Sequence, residues 1–329
     1  MIAPPLDTTA VTALVGDATA APSQHNVQPW RFRFLRESGV LQLCADLDRA
    51  LPQTDPDRRN LYLGCGAALF NLRVAAAAAG REAAVRLLPD PADPALLAEV
   101  DLTGTAEADD DLVLLHPAIG RRHTSRLPFS EEEIPDALRD GLCGAARRED
   151  AHLVFPDAWH VRSVLDLVQD AEGREARDPG VRGETARWAR AELAGETPAS
   201  DGIPAEAFGP GRWGADSPVR DFAAGRSVPG RGWAPFEKNP HIALLGTAED
   251  RRVDWLRAGQ ALERVLLQAT ADGLVASLTS QALEWPELRW AVRDPTSAMG
   301  HVQMVIRLGY GPEGHPTQRR PVAEVLEIA

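Results

Sequence analysis

A short polar loop is the first place in the sequence where the residue types suggest ligand chemistry. The segment "APSQHNVQPW", residues 21–30, carries the hydroxyl of Ser23 and the side-chain amides of Asn26 and Gln28. The strand-like run "RFRFL" follows at once, so these side chains lie on a loop next to a regular element. Loops held by a rigid scaffold are common binding sites.

A second polar segment, residues 118–134, concentrates positive charge. It contains Arg121, Arg122, His123, Thr124 and Arg126, and a basic pair further along the chain adds Arg319 and Arg320. Clustered guanidinium groups repel one another unless an anion lies between them, and their forked donors match phosphate oxygens. For either cluster alone, solvated surface arginine balanced by Glu131–Glu133 is an open alternative. Both clusters together with the polar loop indicate a phosphate-bearing ligand.

Motifs for several other kinds of chemistry are absent. No GxGxxG opens a strand-to-helix turn, and no P-loop, HExxH, GxSxG or kinase motif occurs. The eight histidines are scattered without metal-ligand spacing. We therefore predict no metal site, and we interpret His25 and His123 as hydrogen-bonding residues rather than catalysts.

Length and charge restrict the class of partner. The chain of 329 residues suits one large domain or two ordinary ones, and its net charge of -13 argues against nucleic acid and anionic membranes. The start, "MIAPPLDTTA", lacks the basic and apolar regions of a secretion signal. The three cysteines form no CxxC motif. We expect a cytoplasmic protein without disulfides.

Secondary-structure signals place the polar loop between defined elements. A helix is predicted over 7–21, with Asp7 or Thr8 as its N-cap. The runs "WRFRFL" and "VLQLCADL" predict a β-hairpin that turns at 37–39. A long, nearly all-apolar helix is predicted over 59–79, with Gly80 at its C-terminal end.

Two helical segments share a residue pattern at a constant offset of 193. Over 63–80 and 256–273, the matching pairs are Gly66 and Gly259, Ala68 and Ala261, Leu69 and Leu262, and Gly80 and Gly273. The match indicates an internal duplication, with two related halves packed as a pseudo-dimer. The alternative is that two buried alanine-rich helices resemble each other by composition.

Residues 170–240 form a long segment rich in Gly, Pro, Arg, Asp and Trp. A long irregular segment in a compact protein is often a functional lid or a disordered linker. Its tryptophans and phenylalanines argue against disorder, because disordered segments are poor in aromatic residues. We predict a helix over about 182–195 followed by an extended cover.

These segments resemble motifs of the FMN-dependent nitroreductases. "APSQHNVQPWRF" is similar to the PSxxNxQPW segment of that family, "RHTSR" to its R-x-S-x-R element with Thr124 in the serine position, and "QRRP" to its C-terminal basic pair. Over nearly its whole length the chain more closely resembles the nitroreductase-like Acg family of actinobacteria. The resemblance is weakest over 196–238.

The resemblance implies an α+β fold of two fused nitroreductase-like halves, 1–115 and 116–329, with a lid insertion at about 170–240. The helices over 59–79 and 254–271 would pack together at the pseudo-twofold axis. The polar loop belongs to the first half and both basic clusters belong to the second. One chain would therefore complete one FMN site, so a monomer suffices and a homodimer stays open.

The resemblance also assigns residues to the cofactor. Ser23 and Asn26 would bond the ribityl chain or the ring edge, Pro22 would lie against the ring, and Gln28 would hold the loop. The remaining cofactor-binding residues of the prediction are Gln24, Arg122, His123, Thr124, Arg126, Leu278, Thr279, Arg319 and Arg320. The four arginines Arg122, Arg126, Arg319 and Arg320 would neutralise the phosphate.

The implied activity is that of an FMN-dependent oxidoreductase. In that family the flavin N5 passes hydride from NAD(P)H or an organic donor to a small acceptor, and no side chain is the chemical agent. The partners expected are small molecules, without nucleic acid or membrane. The alternative is a protein that binds or sequesters flavin under a closed lid, with little or no turnover.

Overall fold

Two sheets and two long crossing helices position the polar segments. The computed structural model describes residues 4–105, 110–190, 199–213, 219–224, 226–297 and 299–329. Part of the predicted insertion over 170–240, and with it part of the helix predicted over 182–195, lies outside those residues.

Helices and strands mix along the chain, which confirms the predicted α+β class. The α-helices are α1 (Thr8–Thr19), α2 (Arg59–Ala78), α3 (Asp110–Ile119), α4 (Asp136–Arg147), α5 (Ala158–Glu175), α6 (Pro179–Trp188), α7 (Arg252–Ala271), α8 (Pro286–Val292) and α9 (Val322–Val325). The strands are β1 (Trp30–Leu35), β2 (Val40–Ala45), β3 (Ala84–Leu87), β4 (Leu96–Asp101), β5 (His152–Val154), β6 (Ala189–Arg190), β7 (Ile203–Pro204), β8 (Gly211–Trp213), β9 (Trp233–Pro235), β10 (His241–Thr247), β11 (Val275–Thr279), β12 (His301–Gly309) and β13 (Leu326–Ile328).

The larger strands form two sheets. The first has the order β13-β1-β2-β4-β3 and the second the order β11-β12-β10-β5. Strands β1 and β2 form the predicted antiparallel hairpin, in which Trp30 lies opposite Ala45. Strand β13 adds to the free edge of β1 in parallel, with Phe32 opposite Leu326. The polar loop therefore enters a sheet that a remote segment of the chain completes.

Helix α2 is buried along nearly its whole length, as predicted. The Asp55 carboxylate accepts hydrogen bonds from the backbone N–H groups of Asn60 and Leu61 at 2.9 Å each, which satisfies donors of the first turn. Gly80 follows the last turn with φ +70°, a conformation that favours glycine. By length and composition, α2 is the one described helix apolar enough to cross a membrane, and most of it is buried inside the protein.

Helices α2 and α7 cross where two glycines meet. A Cβ atom on Gly66 would lie 2.3 Å from the Leu256 carbonyl oxygen, and one on Gly259 would lie 2.2 Å from the Leu63 carbonyl oxygen. Backbones approach this closely only where no side chain intervenes. Because Gly66 and Gly259 differ by the offset of 193, as do Leu63 and Leu256, the contact is reciprocal.

The helix predicted over 182–195 begins earlier and ends earlier than expected. Asp178 caps α6 by accepting hydrogen bonds from the N–H groups of Gly180 and Val181, and Pro179 occupies the first turn. Both features favour a helix start at this point. After Trp188 the chain becomes extended and pairs with Ile203 in a short parallel ladder.

Candidate functional site

The polar loop adopts a backbone conformation that side chains rarely tolerate. His25, Asn26 and Gln28 have φ angles of 52°, 54° and 52°, in the left-handed region that favours glycine. The Ser23 hydroxyl accepts a hydrogen bond from the Gln28 N–H at 2.9 Å and closes the loop on itself. Strain of this kind persists only where the surroundings impose it.

Contacts on both sides impose that conformation. On the helix side, a Cβ atom on Gly64 of α2 would lie 3.3 Å from the Ser23 Cβ, so the loop rests directly on the helix. On the other side, the Asn26 amide donates to the carbonyl oxygens of Gly202 at 2.9 Å and Gln318 at 3.0 Å. Asn26 therefore links the loop to the insertion and to the basic segment near 320.

Gln28 also holds the loop rather than facing open space. Its side-chain oxygen accepts from the Arg320 N–H at 2.8 Å, and its amide nitrogen donates to the Ser200 carbonyl at 2.8 Å. Gln28 is fully buried. The two amides that mark the motif in the sequence thus build the site's frame.

A cavity of about 80 Å³, here named the central pocket, opens beside the loop. Six of the predicted cofactor-binding residues line it: Pro22, Ser23, Gln24, Thr124, Arg126 and Leu278. Small-molecule pockets usually measure roughly 300–1,000 Å³. The central pocket is smaller, and Arg220 and Phe222 of the insertion are among the residues that line it.

A second cavity, here named the basic pocket, shares Thr124 and Leu278 with the central pocket. It measures about 150 Å³ and is lined by Arg121, Arg122 and His123 among others. Burial, followed by the charges of Arg122 and Arg319, lowers the pKa of His123. Thr124 and Leu278 line both cavities, so the structure places the two polar segments of the sequence around adjoining spaces.

Arg122 and Arg319 converge on one point at the C-terminal end of α1. The Arg122 guanidinium donates to the Ala20 carbonyl at 3.1 Å, and the Arg319 guanidinium donates to the carbonyls of Thr19, Ala20 and Ala21 at 2.9, 3.0 and 3.2 Å. The partial negative charge of a helix C-terminus attracts both groups.

The carboxylate nearest to this pair compensates it only in part. Glu263 of α7 is fully buried, with its Oε1 3.4 Å from the Arg122 Nε. Burial raises the pKa of Glu263 to about 7, against the opposing effect of Arg122. Burial and then the charge of Arg122 lower the pKa of Arg319 to about 9. Two guanidinium groups therefore lie beside one carboxylate that burial disfavours in its charged form. A bound anion would stabilise the charged form of both guanidinium groups.

The other predicted arginines lie elsewhere. Arg126 faces the central pocket, donates to the Ala207 carbonyl at 3.0 Å and stacks 4.9 Å from the centre of the Phe222 ring. Arg320 is buried against Asp46 at 3.2 Å. Thr279 is buried in β11 and is not among the residues that line either cavity. The assignment of these residues to a cofactor stays a prediction.

A buried network of charges closes the central pocket. Arg220 of the insertion binds the Glu284 carboxylate in two hydrogen bonds of 2.7 and 2.9 Å and contacts the His25 Nε2 at 3.2 Å. Glu284 also accepts from Gln24 at 3.0 Å and from Ser280 at 2.8 Å. The network joins the polar loop, the insertion and the segment after β11.

Sequence reasoning missed most of the residues that close the central pocket. The lining residues that were not predicted include Asn60, Gly64, Arg220, Phe222, Ser280 and Gln281. The one available signal was the aromatic content of 170–240, which indicated an ordered cover without saying which residue reaches the loop. Pairings between side chains some 200 positions apart leave no local pattern.

His25 makes stability dependent on pH. Burial, then the charges of Arg220 and Arg126, lower its pKa well below the usual value, so the folded protein holds it neutral. Below about pH 6.5 His25 is protonated in the unfolded chain but stays neutral in the folded protein. The free energy of unfolding therefore falls as pH falls, by at most about 1.4 kcal/mol per pH unit.

This dependence can be measured by urea unfolding at about pH 7.5 and about pH 5.5. We expect the wild type to lose more unfolding free energy over this interval than His25→Gln, whose amide is not titratable. Equal losses in both proteins would contradict the assignment.

Comparison with known proteins identifies relatives over almost the whole chain. No family model matches. A Mycobacterium tuberculosis H37Rv protein named "Putative NAD(P)H nitroreductase Rv3131" is 35% identical over 333 residues, which cover 98% of this chain and 92% of that protein. "Putative NAD(P)H nitroreductase acg" of the same strain is 31% identical over 328 residues, 98% of this chain and 96% of that protein.

Among solved structures, a Bacteroides fragilis nitroreductase with bound FMN is similar at a TM-score of 0.37 and 14% identity. It covers 63% of this chain and 92% of its own. This likeness is too distant to carry an argument about the site.

Proposed function

Because the chain belongs to the nitroreductase-like family that includes Acg, we propose that it is an FMN-dependent oxidoreductase. It would take hydride from NAD(P)H or an organic donor and pass it to a small acceptor. The observation that carries the proposal is the incompletely compensated pair Arg122 and Arg319. Arg122 lines the basic pocket, which shares Thr124 and Leu278 with the central pocket beside the polar loop. That arrangement suits a ligand with a phosphate at one end.

The hydrogen-bond donors around the two pockets fit the phosphate of FMN. Arg122 and Arg319 would hold the phosphate, with Thr124 between the basic pocket and the central pocket. Pro22, Ser23 and Leu278 would contact the rest of the cofactor. When bound, FMN supplies the capacity to accept and give hydride, and the protein supplies position and a polar frame.

We further infer that the site forms between two fused halves, 1–115 and 116–329, and that one chain holds one FMN. The reciprocal contact of Gly66 with Gly259 supports this division, because it repeats the 193-residue offset of the sequence. The polar loop comes from the first half and Arg122 from the second. A monomer would therefore complete its own site.

The proposal is tested by an anaerobic absorbance scan of purified protein after incubation with FMN, before and after excess NADPH and then NADH. We expect a flavin band that bleaches and returns with air or a nitroaromatic acceptor. A bound flavin that neither nucleotide bleaches would favour a flavin-holding protein over an oxidoreductase. Absence of bound flavin would overturn the proposal.

Phe222 is expected to limit access of the donor. Its ring packs edge-on against His25 at 5.5 Å between centres and under the Arg126 guanidinium at 4.9 Å, contacts worth about 0.5–1.5 kcal/mol each. We expect Phe222→Ala to raise the bimolecular rate of flavin bleaching about tenfold, equivalent to about 1.4 kcal/mol. Stopped-flow absorbance measures it.

The control is Trp233→Ala, because Trp233 also lies in the insertion but is 65% exposed. It should leave the bleaching rate unchanged. An unchanged rate in Phe222→Ala would show that donor access does not depend on this ring.

A further inference from the structure

A larger cavity lies behind the side chains that close the central pocket. This outer chamber measures about 430 Å³ and is bounded by helices α5 and α6 and by the insertion. Its size falls within the roughly 300–1,000 Å³ of small-molecule pockets. Arg220, Phe222 and Gln281 line both the outer chamber and the central pocket, so they form the partition between them.

The partition arginine is surrounded by carboxylates. Arg220 is 8% exposed, binds Glu284 at 2.7 Å and lies 3.6 Å from Glu175. Glu172 adds to the negative field around it. Burial alone would lower the pKa of Arg220, yet Glu284 and Glu175 raise it. The site is thus built to hold a cation.

Displacement of Arg220 would leave two carboxylates without their cation. Among the described residues, Glu284 would keep the hydrogen bonds from Gln24 and Ser280, and Glu175 would keep that from the Thr185 hydroxyl at 3.2 Å. A buried carboxylate that loses its cation is costly. Any molecule that opens the partition is therefore favoured if it brings positive charge of its own.

Gln281 provides a second, independent indication. It is 1% exposed, and its amide nitrogen donates to Glu172 at 3.2 Å. Within the described part of the chain, its buried side-chain oxygen has no hydrogen-bond partner. An unpaired buried acceptor costs free energy until an N–H or O–H donor reaches it. Gln281 lies in the partition, so that donor would come from a molecule that joins the two cavities.

We propose that the outer chamber is the substrate site and that the substrate carries a protonated nitrogen. The charged nitrogen takes the place of Arg220 between Glu175 and Glu284 and donates to Gln281. The rest of the molecule replaces Phe222 in the central pocket. The inference rests on the proposed function, since it names the substrate class of that same site.

The other charges at the chamber do not change this preference. Asp221 is paired with Arg231 at 2.7 Å, and Glu172 is paired with Arg212 at 2.8 Å. Arg182 lines the chamber from an exposed position, where solvent screens its charge. Glu175 and Glu284 are thus the carboxylates released when Arg220 moves.

The test compares three acceptors of similar shape and different charge: 4-nitrobenzylamine, 4-nitrobenzyl alcohol and 4-nitrobenzoate. Binding to the oxidised, FMN-loaded protein is measured by equilibrium dialysis at neutral pH without an electron donor. We expect the amine to bind at least about tenfold more tightly than the alcohol, and the benzoate to bind most weakly. Equal affinity of amine and alcohol would overturn the proposal.

Variants of the carboxylates test which of them cause the tighter binding of the amine. Glu175→Gln should remove most of the advantage of the amine, whereas Glu287→Gln should retain it, because Glu287 pairs with Arg174 on the exposed side of α8. Glu284→Gln is the second variant. If the preference for the amine persists in both Glu175→Gln and Glu284→Gln, its origin lies in other residues and the proposal is overturned. Should Glu284→Gln fail to fold, Glu175→Gln alone decides the matter.

Failure of this inference differs from failure of the proposed function. Flavin that binds and is bleached by NADPH, without any preference for the amine, would overturn the substrate class alone. Protein that binds no FMN would overturn the oxidoreductase, and dialysis of the same three compounds against the flavin-free protein would still decide the charge preference.

Discussion

Arg122→Ala combined with Arg319→Ala is expected to weaken FMN binding by about 10²- to 10⁴-fold, since each charged hydrogen bond to a phosphate contributes about 1.5–3 kcal/mol. The two guanidinium groups meet at the end of α1 with Glu263 as their only nearby carboxylate among the described residues. Fluorescence titration of the flavin-free protein with FMN measures the effect.

Riboflavin, which lacks the phosphate, separates this effect from damage to the fold. Its affinity should change little in the double variant, and Arg162→Ala, which removes an exposed arginine of α5 that lines neither pocket, should bind FMN like the wild type. An equal loss of affinity for FMN and riboflavin would show that the arginines act only by supporting the polar loop. FMN affinity within threefold of wild type would refute the phosphate assignment.

Gly66→Ala or Gly259→Ala is expected to lower the free energy of unfolding by about 3 kcal/mol or more, at the upper end of the range for overpacked cores. A methyl group at either position would meet a backbone carbonyl oxygen of the opposite helix at 2.3 or 2.2 Å. A backbone atom cannot rotate away as a side chain can, so α2 and α7 would have to separate. Urea unfolding followed by circular dichroism measures the loss.

The matched control is Gly141→Ala in α4. Beyond its own helical turn, no atom of the described residues lies within 4 Å of a Cβ atom built at Gly141, so alanine should stabilise that helix by up to about 1 kcal/mol. Insoluble Gly66→Ala protein beside soluble Gly141→Ala protein would agree with the expectation. Unfolding free energies within 0.5 kcal/mol of wild type for both crossing variants would contradict it, given an error of that order.

Elements with a strong local signal could be predicted from the sequence. The helix expected over 59–79 is observed at Arg59–Ala78, because a largely apolar run ends at a glycine. The hairpin around 37–39 follows from alternating residues on both sides of a turn. The helix expected over 182–195 begins and ends earlier, at Pro179–Trp188, because Asp178 caps its first turn and Pro179 occupies that turn.

The candidate site could be predicted in its segments but not in its contacts. The motif residues Asn26 and Gln28 turn their amides toward Gly202 and Ser200, which no spacing rule reveals. Arg320 follows Arg319 directly, yet it is buried against Asp46 on the far side of the loop. Neighbours in an extended chain point in opposite directions, so a basic pair in the sequence need not act as a pair.

The pairing of β13 with β1 has a consequence for biosynthesis. Strand β1 is translated roughly 290 residues before β13. At about 5–20 residues per second, the edge of β1 therefore stays unpaired for on the order of 15–60 s while the ribosome synthesises the rest of the chain. Arg31 and Arg33 lie on its exposed face, and we expect them to act as gatekeepers against premature association with other nascent chains. An apolar replacement at Arg33, whose pairing with Glu327 is exposed on both sides, would therefore reduce the yield of soluble protein in cells while leaving the stability of the finished molecule largely unchanged.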